Sequence, residues 1–373
     1  MCRLHKLGAL GFLLALLTPA TVQLLSGGAG VSIGEKRVLE PMPAWPGQWS
    51  GWSAFSGNLE RFLRDHFGLR EHLTTGWNLL KYALRYNRRV AIGRDGWLYY
   101  SQYWKSRYGA PSCGPSSADA RSFADRLDRL AAHAAAGNVP VLFAIAPNKE
   151  TIYPEYMPGQ LGALGHCDLY SELMLALGSK RHVKVLDLRP LLKAWKAKER
   201  VYFKTDTHWS DIGFWRVSRA LLEGVCPAGS LCPRLPEPSL STKTCSGDLA
   251  QFLGLSSILT EQYQAVDFPA SQYSREVAND HPAGGQFNTE QWVREGRTGR
   301  TLYVVGDSFA KIALRFLIAD ESVARVIWSY HREGGIDFQP IVAAKPDAIL
   351  IVIVERALYD PGLLRSFAAD FPE

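Results

Sequence analysis

The stretch TLYVVGDSFA, Thr301–Ala310, runs from an apolar segment straight into Gly306-Asp307-Ser308. Thr301–Val305 has the apolar, β-branched content of a buried strand, and Phe309–Ile318 has helical spacing. A strand that turns sharply into a helix presents the turn residue beside the free backbone N–H groups of the first helical turn. Those groups favour negative charge, so the turn suits a nucleophile whose reaction develops an oxyanion. The competing reading is an ordinary turn or N-cap, where Gly, Asp and Ser are all common.

About a hundred residues earlier, KTDTHWS at Lys204–Ser210 supplies Asp206 and His208. A serine hydroxyl is a poor nucleophile until a base takes its proton. An imidazole does this, and a carboxylate holds the imidazole in the right tautomer. Ser308, His208 and Asp206 are therefore the candidate catalytic residues. Asp-x-His is also common in purely structural settings, so the conjunction of the two segments carries the reading. Tyr202, Phe203 and Trp209 surround the Asp-Thr-His turn with aromatic surface, and Trp209 is a candidate for contact with substrate.

Outward from these segments, strands and helices alternate. Val90–Ser101, containing Gly93-Arg94-Asp95-Gly96, predicts a hairpin. Ser117–Gly137 predicts a helix, Val139–Ala146 a buried strand, Asp168–Leu177 a helix, Val183–Leu188 a strand and the residues to Lys198 another helix. After Ser308 come strands at Ala324–Tyr330 and Ala348–Val354, with a helix over Gln339–Ala344 between them. This order predicts an α/β fold with a largely parallel sheet flanked by helices. Residues 225–298 break the pattern with turn residues and few long apolar runs, which predicts a loop-rich insertion of loops and short strands, with capping of the active site as one role. Asn58–Tyr86 has helical periodicity, and 31–55, rich in Gly, Pro, Ser and Trp, reads as a linker.

The chain resembles the polysaccharide O-acetyltransferases of the alginate AlgJ/AlgX type, which carry an SGNH-hydrolase-like domain. The resemblance runs from about Gly57 to Leu364. It rests on GRDGWLYYS at Gly93–Ser101, APNKETIYPEYMP at Ala146–Pro158, KTDTHWSDIG at Lys204–Gly213 and GDSFA at Gly306–Ala310. It implies a single catalytic domain over 56–373, a triad at Asp206, His208 and Ser308, and acetyl transfer onto exported polysaccharide. Ordinary SGNH hydrolases begin with the Ser block and end with the Asp/His block. Here the order is reversed, so the chain is expected to be circularly permuted relative to them, which triads tolerate because geometry sets their roles.

One departure concerns the oxyanion hole. Where an SGNH hydrolase carries its Asn, this chain reads Val354-Glu355-Arg356. Arg356 is a candidate to meet the oxyanion or a substrate carboxylate, and a structural ion pair with Glu355 is the alternative. The Gly block corresponds to Gly334 or Gly335. Lys149, just past a strand end, is a candidate for an acidic sugar, and a solvated surface lysine is the alternative.

Composition sets the wider bounds. The formal charge is +6, Arg3 and Lys6 contribute two of these, and no dense basic run points to nucleic acid. Arg3, His5 and Lys6 precede Leu7–Leu25, nineteen residues with no ionisable side chain. Residues 1–30 read as a membrane anchor with the rest exported, or as a cleaved signal that releases a periplasmic protein. Of the six cysteines, Cys226, Cys232 and Cys245 cluster in a Pro/Gly/Ser-rich loop that a disulfide would staple; Cys2, Cys113 and Cys167 lie elsewhere. A zinc site is the competing use, and no CxxC pair or HExxH is present.

Three functions remain open: an exported O-acetyltransferase, a carbohydrate acetylesterase with the same residues, and a non-catalytic glycan-binding component of an export complex. No cofactor is expected. The resemblance implies a polysaccharide acceptor and a multipass membrane O-acyltransferase as donor partner. Alginate is the natural acceptor, and another exopolysaccharide would need the same chemistry. With no separate carbohydrate-binding domain after the last helix, the chain resembles the shorter, anchored members.

Overall fold

The computed structural model describes residues 11–14, 17–19, 21–23, 31–32, 37–101, 116–159, 169–227, 232–268, 273–278, 289–296, 298–331 and 338–366. Part of the apolar N-terminal segment, with Cys113, Cys167, Gly334 and Gly335, therefore lies outside the described residues. Among the described residues no helix is long and apolar enough to cross a membrane.

The chain forms two compact units. The first holds residues 1–87 and 250–260. Strands β1 (Val31–Ser32) and β2 (Arg37–Val38) pair there, and the periodicity of Asn58–Tyr86 resolves into two helices, Trp52–Asp65 and Arg70–Ala83. The break falls at His66–Leu69, around Gly68, and the Arg70 N–H bonds back to Phe67 at 2.7 Å. The reading of 31–55 as a linker meets helix from Trp52 onward, with Trp45, Trp52 and Phe55 packed edge to face.

The second unit, 88–249 with 261–373, carries the site. The expected hairpin is β3 (Val90–Ile92) and β4 (Leu98–Tyr100), antiparallel. The central sheet is built from β5 (Val141–Ala146), β6 (Lys184–Asp187), β9 (Tyr273–Val277), β10 (Glu290–Arg294), β11 (Arg300–Gly306), β12 (Val323–Tyr330) and β13 (Ala348–Val354). Its order is β6-β5-β13-β11-β12-β10-β9. The first five strands run parallel, and β10 and β9 add antiparallel at one edge. Every residue of β5 and β13 is buried, as expected of central parallel strands covered on both faces by helices.

The flanking helices obey the same logic. Ser117–Ala136 buries Ala120, Phe123, Ala124, Leu127, Leu130 and Ala131, one helical stripe, and Ser116 with Asp119 closes a capping box at its start. The insertion carries short strands, as read from its sequence. It contributes β9 and β10 to the main sheet, and a second antiparallel pair, β7 (Ser239–Cys245) with β8 (Glu261–Asp267). A disulfide joins Cys226 to Cys232 at its start, and among the described residues Cys245 is a free thiol.

Candidate active site

Parallel strands of one sheet all end on the same side, and the loops beyond those ends meet there. The β11 end turns through Gly306-Asp307 into the helix Ser308–Leu317. A Cβ on Gly306 would lie 2.2 Å from the Val352 carbonyl oxygen and 2.5 Å from the Ala310 Cβ, so only glycine fits this turn. Asp307 caps the helix, its Oδ1 accepting the Phe309 N–H at 2.9 Å. Its Oδ2 accepts the Val354 N–H at 2.7 Å, which ties the β11 and β13 ends together. Burial raises the Asp307 carboxyl, but His331, Arg356 and the Val354 N–H outweigh it and hold the group below its ordinary value. Ser308 is the first residue of the helix, where backbone N–H groups have no intrahelical acceptor.

The segment Phe203–His208 is irregular backbone, so its polar groups need partners from elsewhere. Lys149 supplies three: its Nζ donates to the carbonyls of Phe203 at 3.1 Å, Lys204 at 3.0 Å and Asp206 at 2.7 Å. The ammonium also faces the Trp97 and Tyr99 rings, 5.7 and 5.4 Å from their centroids. Glu261 accepts the N–H groups of Lys204 and Thr205 and the Thr205 hydroxyl at 2.9, 2.7 and 2.6 Å. Gly247 crosses so close behind Asp206 that a Cβ on it would meet the Asp206 Cβ at 2.3 Å.

This scaffold brings the three expected side chains together. The Ser308 hydroxyl donates to His208 Nε2 at 2.7 Å, and His208 Nδ1–H donates to Asp206 Oδ1 at 2.7 Å. Asp206 Oδ1 also accepts the His208 N–H at 2.9 Å, an Asx turn that orients the carboxylate toward its own histidine. Burial would raise the Asp206 carboxyl, but the bond and charge of His208 and the N–H groups of Asp248 and His208 hold it well below the ordinary value. It is therefore ionised whenever the imidazole needs it.

A fourth residue belongs to this arrangement. Asp248, from the loop-rich insertion, donates its N–H to Asp206 Oδ2 at 2.8 Å and accepts the Thr207 N–H at 2.8 Å and hydroxyl at 2.5 Å. Its carboxylate is 3.8 Å from His208 Nδ1. Burial first, then the Asp206 charge, raise its pKa. In sequence Asp248 reads only as a helix-start residue in Ser246-Gly247-Asp248. Ligand atoms of Asp206, His208 and Asp248 lie within 4.8 Å, close enough for a cation, but Asp206 is already hydrogen-bonded to His208 and to the Asp248 N–H.

Two candidates are corrected. Lys149 is neither a surface lysine nor a sugar contact: it is 3 % exposed and its ammonium is used by the Phe203–Asp206 carbonyls. Burial brings its pKa down to about 8. Trp209 is not an acceptor surface either. It is fully buried, bridged to Tyr202, with its Nε1–H on the Tyr202 hydroxyl at 2.8 Å and its ring edge-on to Phe309. Gly335 lies outside the described residues. Arg356 stands near the site, its guanidinium 5.5 Å from the Phe309 ring and 5.9 Å from the Tyr100 ring. Glu355 turns to the Asn148 N–H at 2.8 Å and the Thr151 hydroxyl at 2.6 Å.

Residues 90–343 match the family described as "SGNH hydrolase-like domain, acetyltransferase AlgX". The chain belongs to this family. The SGNH-like fold expected from the sequence is thereby established, and the AlgX domain takes in both the Asp206-His208 and the Ser308 segments. The chain is 28% identical over 249 residues to the Pseudomonas putida protein named "Probable alginate O-acetylase AlgJ". That match covers 64% of this chain and 62% of the relative, so the chain spans about three fifths of the length of the curated relatives it matches. Among solved structures, a DHHW family protein from Eubacterium siraeum superposes with a TM-score of 0.53 at 16% identity, covering 75% of this chain and 95% of that one. Bacillus cereus PatB1, solved with a sulfonyl adduct, gives 0.52 at 14% identity over 74% and 99%. Both likenesses are of fold.

Proposed function

We propose that this AlgX-family chain is an exported polysaccharide O-acetyltransferase that works through an acetyl-serine. The observation that carries the reading is the unbroken Ser308–His208–Asp206 hydrogen-bond relay at the strand ends of an acetyltransferase-family domain.

In the first half-reaction the Ser308 Oγ attacks the acetyl carbonyl of the donor while its proton passes to His208 Nε2. The C=O electrons move onto oxygen, return, and expel the donor's leaving group, which takes the proton from His208. In the second, a sugar hydroxyl gives its proton to His208 and attacks the acetyl-serine, and Ser308 leaves with that proton restored. Asp206 holds the tautomer and stabilises the imidazolium, and Asp248 holds Asp206. Alginate, the polymer in the relatives' name, is the proposed acceptor. The apolar Leu7–Leu25 segment supports a periplasmic, inner-membrane-anchored location, where a multipass membrane O-acyltransferase would supply acetyl.

Intact-mass spectrometry of the full chain with 4-nitrophenyl acetate tests this, with alginate oligosaccharides added or withheld. One acetyl on the wild type, absent from Ser308→Ala and discharged onto a sugar, is the expected result. Discharge to water alone would make the chain an esterase. Turnover that survives Ser308→Ala would remove the serine mechanism.

A further inference from the structure

A tetrahedral oxyanion is best held by two or more donors, and the first turn of the Ser308 helix offers backbone N–H groups of which the Phe309 one is already used by Asp307. A further donor must come from a neighbouring strand end. β13 lies beside β11 in parallel register, Gly306 opposite Val352, and the Asp307–Val354 bond brings the two ends into contact. The residues just past Val354 therefore emerge beside the Ser308 turn. The second of them is Arg356.

Its surroundings are unusual for an arginine. The guanidinium lies over Phe309, the residue after Ser308, and that same ring is 4.7 Å from the His208 ring. Arg356 is half-buried and makes no ion pair among the described residues. The nearby carboxylates have other hydrogen-bond partners: Glu355 has Asn148 and Thr151, and Asp307, which feels the Arg356 charge, has two backbone N–H groups and His331 beside it. What remains is a cation with its donors unspent, resting on ring faces at the edge of the reacting centre.

Resting on the acetyl-serine reading above, we infer that Arg356 donates to the oxyanion formed when a nucleophile adds to the acetyl carbonyl. The guanidinium keeps all its protons, because it is too weak an acid to lose one. As the C=O electron pair moves onto oxygen, an N–H of Arg356 shortens its bond to that oxygen, and the bond relaxes when the pair returns and the leaving group departs. The competing donor is Asn148, past the β5 end, whose buried Nδ2 has no hydrogen-bond partner among the described residues.

The test is the burst of 4-nitrophenolate from 4-nitrophenyl acetate on the full chain, in wild type, Arg356→Ala, Arg356→Lys, Asn148→Ala and Ser308→Ala. This ester carries no carboxylate, so an arginine that only gripped an acidic sugar would leave the burst unchanged. The expected result is a burst rate about 10²–10³-fold lower in Arg356→Ala with little change in KM. Arg356→Lys should recover part of it, and added guanidinium should rescue Arg356→Ala but not Ser308→Ala. A wild-type burst rate in Arg356→Ala, or a comparable loss in Asn148→Ala with none in Arg356→Ala, overturns the inference. An undiminished burst in Ser308→Ala instead removes the serine reading on which it rests.

Discussion

Asp248 donates its backbone N–H to the Oδ2 of Asp206 at 2.8 Å, while its own carboxylate lies 3.8 Å from the imidazole that Asp206 orients. The imidazole thus faces two carboxylates, one hydrogen-bonded and ionised, the other displaced and pushed up by burial and by its neighbour's charge. A negative charge beside Nδ1 favours the imidazolium. Asp248→Asn removes that charge while keeping the backbone N–H that holds Asp206. With less charge to stabilise the imidazolium, kcat/KM for 4-nitrophenyl acetate is expected to fall by about tenfold or less at neutral pH. An unchanged kcat/KM in Asp248→Asn would leave the carboxylate no part in the reaction.

Asp206→Asn keeps the shape and removes the charge. It also allows the amide to donate where the carboxylate accepted, favouring the wrong imidazole tautomer. A loss of about 10⁴ in kcat is expected from steady-state kinetics, with the protein still folded.

Lys149 links the site to stability. Its folded pKa, about 8, lies below the ordinary lysine value of 10.5. The unfolded chain therefore holds more protons between these two values, and this group makes stability rise with pH across that window. Lys149→Met should flatten that rise, by up to about 1.4 kcal/mol per pH unit, in urea melts taken from pH 8 to 10. It should also lower stability at pH 7 by about 2–4 kcal/mol, because three carbonyls lose their donor. A variant with wild-type stability at pH 7 would show that these carbonyls find other partners.

Gly247→Ala places a methyl where Asp206 already stands. The displaced carboxylate should cost about 10²-fold in kcat, with far-UV circular dichroism unchanged.

The Cys245 thiol is pushed up to about 12 by burial and by the nearby Glu261 and Asp206 charges. Its tryptic peptide should take up iodoacetamide at pH 8 at least about 100-fold more slowly from the folded than from the urea-unfolded protein. Equal rates would place the thiol in open solvent.

Much of this was legible in the sequence, for identifiable reasons. A run such as Leu302–Val305 before Gly306-Asp307-Ser308 carries its own periodicity and turn chemistry, and Asp206-x-His208 is a local motif, so the relay could be named before its geometry was seen. Asp248 could not, because its role comes from facing Asp206 across a segment with no periodic pattern. Lys149 misled because a lysine past a strand end is usually solvated. Nothing in APNKET announces that an irregular loop would turn three carbonyls toward it. Trp209 misled for the opposite reason: an aromatic beside a catalytic motif reads as a contact surface, and here it is a pillar under the motif.

The sheet order has a consequence for how the molecule is made. β5 and β13 are paired neighbours inside the sheet, with Val141 against Ile349, although about two hundred residues separate them. Closing so long a loop comes early in assembling the core and is entropically slow, so refolding is expected on the millisecond-to-second scale or slower. Until β13 arrives, the wholly apolar β5 is an open edge, able to template other chains. An emerging chain would carry Asp206 and His208 long before Ser308, and stay both inert and adhesive until its last third is in place.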